Sequence, residues 1–439
     1  MALLRILGVA FGLAVVIGTS IGAGILRAPG PVMALTQNGL VSLLLWGLGG
    51  GFALLGAAAL CELATMLPRS GGLYVFARRA LGEGYGFTIG CADWFANCSA
   101  VAYGAVAGAE FTAKLFPALS SHVTAVAAGV IVSFAALHML GLRVSSRVQE
   151  AVSFVKAAAF LVLVGGLLLA AGDQVADGVA VAPTGPSRPY AVALILAMQF
   201  VVIAYDGWQS ATYFAGEDRD PARDLPRALL GGVLIIVGIY LLMNVALLRV
   251  LSPEALAAST LPAADAARVL MGGRGETIIT ALSILSPLTL VSAVLLCAPR
   301  ILYAMSVDGL VLRRAAYVDR RGTPSIALAV STSAALLMLA SGGSFEAIVT
   351  VGALFTVVSY TGAFVALLVL RAREPALARP FRAWGAPWST IVILLISLGL
   401  IAGTIAGAPR ESMIAAVVLV ALYPVYRLTR RSAVLAERR

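Results

Sequence analysis

Long apolar blocks, cut by short arginine-bearing links, set the pattern of the chain. Val123–Leu140, Ala157–Ala171 and Ile391–Ile405 are clear examples. A membrane-spanning helix needs about 20 mainly apolar residues. Blocks of that kind predict twelve spans, roughly 6–35, 40–66, 86–115, 122–141, 148–172, 190–215, 227–251, 277–304, 325–341, 346–370, 387–407 and 412–429. They are numbered here as segments 1 to 12. The expected fold class is an all-α membrane protein.

Composition supports this pattern. Of 439 residues, 60% are hydrophobic and 12% charged, against about 25% charged in soluble domains. A soluble fold of this size needs more polar surface. The longest hydrophilic links run to about 15–20 residues, as around 308–324, too short for an enzymatic or nucleic-acid domain. The apolar start continues through a Gly-rich interruption into a second apolar stretch, so a cleaved signal is not expected.

The net charge of +10 is explained by where the arginines fall. Arg69, Arg78, Arg79, Arg143, Arg147, Arg219, Arg223, Arg227, Arg313, Arg314, Arg320, Arg321, Arg371, Arg373, Arg379 and Arg382 share one side with the arginine-rich tail. The opposite links hold only Arg188, Arg249, Arg268, Arg274 and Arg410. This is the positive-inside bias. It predicts a multi-pass protein of the cytoplasmic (inner) membrane with both termini in the cytoplasm. Cys61, Cys91, Cys98 and Cys297 lie within or at the edges of spans without metal-ligand spacing. No disulfide, metal centre or cofactor is expected.

Two spans carry interruptions. Segment 1 contains Gly18-Thr19-Ser20-Ile21-Gly22-Ala23-Gly24, and each glycine weakens a helix by about 1 kcal/mol relative to alanine. Unwound backbone at membrane depth is tolerated only against protein or a water-filled cavity. Close packing of small residues is the competing reading. Segment 6 places Asp206 and Gly207 deep in the apolar run Phe200–Ser210, where an ionisable group costs about 3 kcal/mol. Breaks in segments 1 and 6 are what a five-plus-five inverted repeat produces, and paired breaks point to a transporter's binding site.

The charge layout of those breaks suggests a ligand. Segment 1 runs outward, so the half-helix beginning near Ala23 aims its N–H groups at the midplane, an end that suits a carboxylate. Segment 6 runs inward, so its first half ends near Ala204 with free carbonyls that suit an ammonium group. Together they describe a receptor for a free α-amino acid.

At these residues the chain resembles the amino acid–polyamine–organocation superfamily, nearest to its bacterial amino-acid permeases and L-type exchangers. The matching stretches are Gly18–Ile25, Pro68–Tyr74, Ala204–Trp208, Asp220–Arg227, Arg300–Met305 followed by Asp308-Gly309, and Arg379–Arg382 with Gly385–Pro387. The resemblance implies two inverted repeats, 1–172 and 190–371, followed by two helices and a tail over 387–439. It implies carboxylate binding by backbone amides from Ser20 through Ile21, Gly22 and Ala23 to Gly24. The amino group would meet carbonyls of Ile203, Ala204 and Asp206. Ala23 stands where many L-type members have Ser, and Ile203 where many place an aromatic lid. Asn97 resembles a polar substrate contact, or is bonded to a neighbouring helix carbonyl, and Ser292 faces the same choice. No covalent partner is expected, because the link Pro117–Thr124 lacks cysteine.

Two basic residues stand at membrane depth. Lys156 lies about half-way into segment 5 in a chain with only one other lysine, Lys114. A buried lysine can lose its proton, unlike arginine. The resemblance implies that Lys156 ties segment 5 to the segment 1 break and couples transport to protons; snorkelling is the alternative. Arg27 follows the break by a turn. It is a candidate outer gate with Glu346, or with Glu110, or it meets lipid phosphate or an acidic substrate. Glu62, Glu217, Asp218 and Asp220 are expected in surface ion pairs.

The expected function is secondary active transport of neutral amino acids, by proton symport or exchange. Alternatives are an amino-acid sensor or a carrier of acidic amino acids or polyamines. No nucleophile, metal cluster or paired acid and base suggests an enzyme.

Overall fold

A computed structural model describes residues 3–170, 189–341 and 345–437. Among the described residues the only β pairing is an isolated bridge between Leu7 and Asp218; the rest is helix, turn and connection. The helices are α1 (Val9–Ser20), α2 (Ala23–Arg27), α3 (Pro29–Thr36), α4 (Gly39–Met66), α5 (Leu73–Leu81), α6 (Glu83–Leu115), α7 (Val123–Met139), α8 (Leu142–Ala170) and α9 (Tyr190–Tyr205). They continue with α10 (Pro221–Val250), α11 (Pro253–Ala258), α12 (Pro262–Met271), α13 (Gly273–Val307), α14 (Ser325–Leu339), α15 (Phe345–Arg373), α16 (Trp388–Gly407) and α17 (Pro409–Glu437).

Nine stretches of the described residues, from Gly39–Met66 to Pro409–Arg427, are long and apolar enough to cross a membrane. The other three expected spans have physical reasons to differ. Segment 1 is divided among α1, α2 and α3. Segment 3 is α6, whose 33 residues are diluted by Asp93, Glu110 and Lys114. Segment 9 is the shorter α14, of 15 residues. The protein is therefore an all-α, multi-pass membrane protein.

Local chemistry sets the helix ends. Asn38 accepts from Val41 N at 3.1 Å to start α4, and Asp220 accepts from Arg223 N at 3.3 Å to start α10, both as N-caps. Pro221 occupies the first position of α10, where its missing N–H costs nothing. The short α5 is amphipathic: Leu73, Tyr74, Phe76 and Ala77 are buried and Arg79 is left outside. At the centre, α1 packs on α8, α10 and α13, while α9 packs on α3 and α4. α2 also packs on α9, and α1 on the turn that follows α9 at Ser210–Phe214, which places the segment 1 and segment 6 breaks against each other.

Candidate functional site

Both interruptions are present. α1 stops at Ser20, Ile21 turns extended (φ −72°, ψ 90°), and Gly22 follows at φ −127°, ψ −162° before α2 begins. α2 has no side-chain cap, so N–H groups of its first turn lack acceptors within the helix. It runs on into α3 through Ala28, which keeps helical dihedrals. Together α2 and α3 form a rod whose N-terminal end lies at the break. The side chain of Ala23 is outside the described residues.

In segment 6, α9 stops at Tyr205, Asp206 is extended (ψ 150°), and Gly207 takes φ +110°. Only glycine tolerates that conformation easily. It also needs the space: a Cβ on Gly207 would sit 2.8 Å from Ser20 N. On the other strand of the crossing, a Cβ on Gly24 would sit 2.8 Å from Ala204 Cα. Small residues therefore let the two unwound backbones touch.

Hydroxyls hold that contact. Tyr240 Oη, on α10, lies 2.6 Å from Ser20 O and 3.0 Å from Ala204 O. One phenol thus faces a carbonyl from each break. Thr19 Oγ1 lies 2.9 Å from Gly207 O, and Ser210 Oγ donates to it at 2.9 Å. Trp46, Tyr205 and Tyr240 form an aromatic cluster behind the crossing, with centroids 4.8–5.8 Å apart. Ser20 Oγ is buried without a protein partner.

Lys156 is fully buried on α8. Its Nζ donates to Gly18 O at 2.8 Å and Ile21 O at 2.6 Å, so it sits on the segment 1 break and does not snorkel. Ser286, on α13, donates to the same Ile21 O at 2.7 Å. Segment 8 therefore reaches the break through Ser286. Ser292 is buried further along; its carbonyl faces His138 Nε2 at 3.0 Å, and its hydroxyl has no partner.

Asn97 turns its amide on its own helix, donating to Asp93 O at 2.8 Å and Asp93 Oδ1 at 3.2 Å, and also lies 3.5 Å from Tyr213 Oη. Asp206 accepts from the Tyr360 hydroxyl of α15, and Trp208 stacks on the Tyr360 ring at 5.0 Å. The Ile203 side chain is 63% exposed. Its carbonyl accepts from Asp206 N at 3.2 Å. Arg27 faces Glu110 at 3.9 Å, with both side chains about half exposed, and lies over the Phe111 ring. The Glu346 side chain is outside the described residues.

On the arginine-rich face, two of the acids expected in surface pairs, Glu217 and Glu62, prove to be in buried ones, while Asp220 stays exposed as the N-cap of α10. Glu217 is wholly buried and takes a two-pronged bond from Arg300 at 3.1 and 3.0 Å. Ser70 adds a third donor at 3.3 Å. Glu62, also wholly buried, accepts from Arg371 at 2.9 Å and from Ala383 N at 2.7 Å, with Arg379 3.2 Å away. Asp308 gathers Tyr74, Arg69 and Arg78 at 2.8, 2.9 and 3.4 Å. α13, α15 and the link after α15 fold over these acids, which local sequence does not reveal.

Two interrupted helices, clasped within a bundle of long apolar helices, define a membrane transporter of the broken-helix type. The chain belongs to the amino acid permease family, which residues 9–423 match. It is similar to the serine/threonine exchanger SteT of Bacillus subtilis, 27% identical over 441 residues, covering 96% of this chain and 95% of that one. It is also similar to the mouse b(0,+)-type amino acid transporter 1, 27% identical over 416 residues, with 92% and 83% covered. The mouse Asc-type amino acid transporter 1 is 27% identical over 397 residues, with 87% and 73% covered. The family and these relatives are transporters, not enzymes.

Proposed function

We propose that the protein carries small neutral amino acids across the cytoplasmic membrane by alternating access, as an exchanger or a proton symporter. Both termini lie in the cytoplasm in this reading, and the arginine-rich face is the cytoplasmic one. The two repeats, 1–172 and 190–371, rock about the crossing of segments 1 and 6, with 387–439 beside them.

One observation carries the proposal: Ser20 O and Ala204 O meet at a single hydroxyl, that of Tyr240. That contact brings the N-terminal end of the α2–α3 rod beside the C-terminal end of α9. A substrate carboxylate is held by the amides from Ser20 through Ile21, Gly22 and Ala23 to Gly24. Its ammonium is held by carbonyls of Ile203, Ala204 and Asp206. Opposite helix ends favour opposite charges, so the pair selects a zwitterion. The name of the Bacillus relative, a serine/threonine exchanger, supports both small neutral substrates and exchange. The Arg27–Glu110 pairing supports a gating role for Arg27 and speaks against an acidic substrate.

Lys156 occupies a place where a cation would tie segment 5 to the Gly18 and Ile21 carbonyls. It is the proposed link between substrate and proton. The test is uptake of a panel of labelled amino acids into proteoliposomes. It is run with and without internal amino acid, and with an imposed pH gradient. Stimulation by internal substrate alone indicates exchange; stimulation by the gradient indicates symport. Equal rates in liposomes with and without the protein would refute the proposal.

A further inference from the structure

Asp93 is an acid at membrane depth that the sites above do not use. It lies on α6, about 15 Å along the helix from its start at 1.5 Å per residue, and is 2% exposed. Its Oδ1 accepts from the Tyr213 hydroxyl at 2.8 Å and from Asn97 Nδ2 at 3.2 Å. Its Oδ2 is buried and has no partner.

Its burial comes first in setting its state, and the groups around it come next. Asp206 lies close enough to act on Asp93 electrostatically, and Tyr213 and Tyr360 belong to the same cluster. Cys297, on α13, lies close enough to Tyr213 to act on it electrostatically. The nearest guanidinium along α13, that of Arg300, is committed to Glu217. Among the described residues neither Asp93 nor Asp206 has a salt-bridge partner. An ionised Asp93 would hold its charge in a water-poor site with Oδ2 unpartnered, which is costly, and a proton on that oxygen removes the charge. Of the two acids, Asp93 is the one with a buried oxygen that has no partner, whereas Asp206 accepts from the Tyr360 hydroxyl.

From this arrangement we infer that Asp93 is a proton-binding site, with Oδ2 carrying the proton while the arginine-rich face is closed. Loading forms one O–H bond at Oδ2 and brings one positive charge from water on the open side. Release breaks that bond and returns the proton to water. Tyr213 connects the site to the closure. Its carbonyl accepts from Gly71 N at 3.1 Å, and its ring fills the space where a Gly72 side chain would lie. Ser70, next along, bonds Glu217. Opening that face pulls on Tyr213, admits water to Asp93 and lets the proton leave. The inference rests on the transport reading and names a second proton site beside Lys156.

Infrared difference spectroscopy of the reconstituted full chain tests it without transport. Wild type should show the carbonyl-stretch band of a protonated, buried carboxylic acid, and Asp93→Asn should lose it. Exchange of labelled amino acid, measured across a range of pH, should vary in wild type. It should become flat in Asp93→Asn, which mimics the protonated form, and vary again in Asp93→Glu. A band retained in full by Asp93→Asn, or an unchanged pH profile, overturns the inference. Selective loss of basic substrates also overturns it, by making Asp93 a substrate counter-charge. If no substrate is exchanged by wild type, the transport reading fails, while the infrared band still decides the state of Asp93.

Discussion

Lys156 donates to the carbonyl of Ile21 at 2.6 Å, at the residue where the first helix leaves its helical path. A second bond to Gly18 O, at 2.8 Å, spans the last turn of α1. The lysine thus caps a helix C-terminus from the side, where a cationic group is favoured. Lys156→Met removes both donors. Ser286 still serves Ile21 O, but Gly18 O loses its side-chain donor, and an orphaned buried acceptor costs about 1–3 kcal/mol. Uptake should fall by about tenfold or more, the loss that 1.4 kcal/mol represents. Any remaining uptake should no longer respond to a pH gradient. Proteoliposome uptake, normalised to inserted protein, checks both. Gradient-driven uptake at the wild-type level would remove Lys156 from coupling.

Tyr240→Phe keeps the aromatic cluster with Trp46 and Tyr205 but removes the hydroxyl between Ser20 O and Ala204 O. The fold should survive, because the ring's apolar contacts are unchanged. The crossing should loosen by about 1–3 kcal/mol. Substrate affinity should weaken by about tenfold. Binding to detergent-solubilised protein, followed by calorimetry or scintillation proximity, reads the affinity directly.

Much of this framework is legible in the chain. Long apolar blocks announce the spans, and Gly18–Gly24 and Asp206-Gly207 announce the breaks because glycine and a buried acid are costly in an apolar helix. The clasp is not legible. Tyr240 meets Ser20 across 220 positions, and a tyrosine in an apolar run looks like any packing aromatic. Ser286 is equally ordinary until Ile21 O faces it. Glu217 and Glu62 look like surface acids because local sequence does not say which helix folds over them. Asp93 is different: the rule that singles out Asp206, an ionisable group at membrane depth, applies to it equally. Asn97, four residues later, is bonded to it, so the helix itself uses the amide that resemblance would assign to substrate.

Gly207→Ala should be among the most damaging single-methyl changes in the protein. The position has φ +110°, which an L side chain adopts only under strain. The new Cβ would also meet Ser20 N at 2.8 Å. The two breaks would be forced apart. We expect inserted protein with no measurable substrate binding, checked by membrane yield alongside binding. Gly82→Ala is a useful control, since it shares a positive φ (+94°) but has open space around it.

The Arg300–Glu217 pair should show strong coupling. Both side chains are buried, at 3% and 0% exposure, and removing one partner strands the other. Glu217→Gln or Arg300→Met alone should destabilise the folded protein by about 3–5 kcal/mol. The double variant should lose less than the sum, because no charge is left alone. Thermal unfolding of the four proteins in detergent forms the double-mutant cycle. Additive losses would mean that the pair is not a unit.

The N-terminal stretch should be held in a pH-dependent way. Leu7 N donates to Glu217 O at 3.0 Å and Arg219 N donates to Leu7 O at 3.1 Å, so the start of the chain pairs with the link before α10. Asp218 lies in that pairing, 6% exposed. Its carboxyl is pushed up from 3.8 to about 7, chiefly by burial and then by the charges of Asp224, Glu217 and Asp220. Between those values the paired form keeps a proton that the released form has lost. The pairing therefore weakens as pH rises through that window and is level above it. Protonation is favourable because it leaves a buried group uncharged and removes a like charge from an acidic turn. Hydrogen exchange at the Leu7 and Arg219 amides, corrected for intrinsic rates, should show more protection near pH 6 than near pH 8. Asp218→Asn should hold the protected level at both. Equal protection in wild type at the two pH values would mean that the carboxyl of Asp218 does not govern the contact.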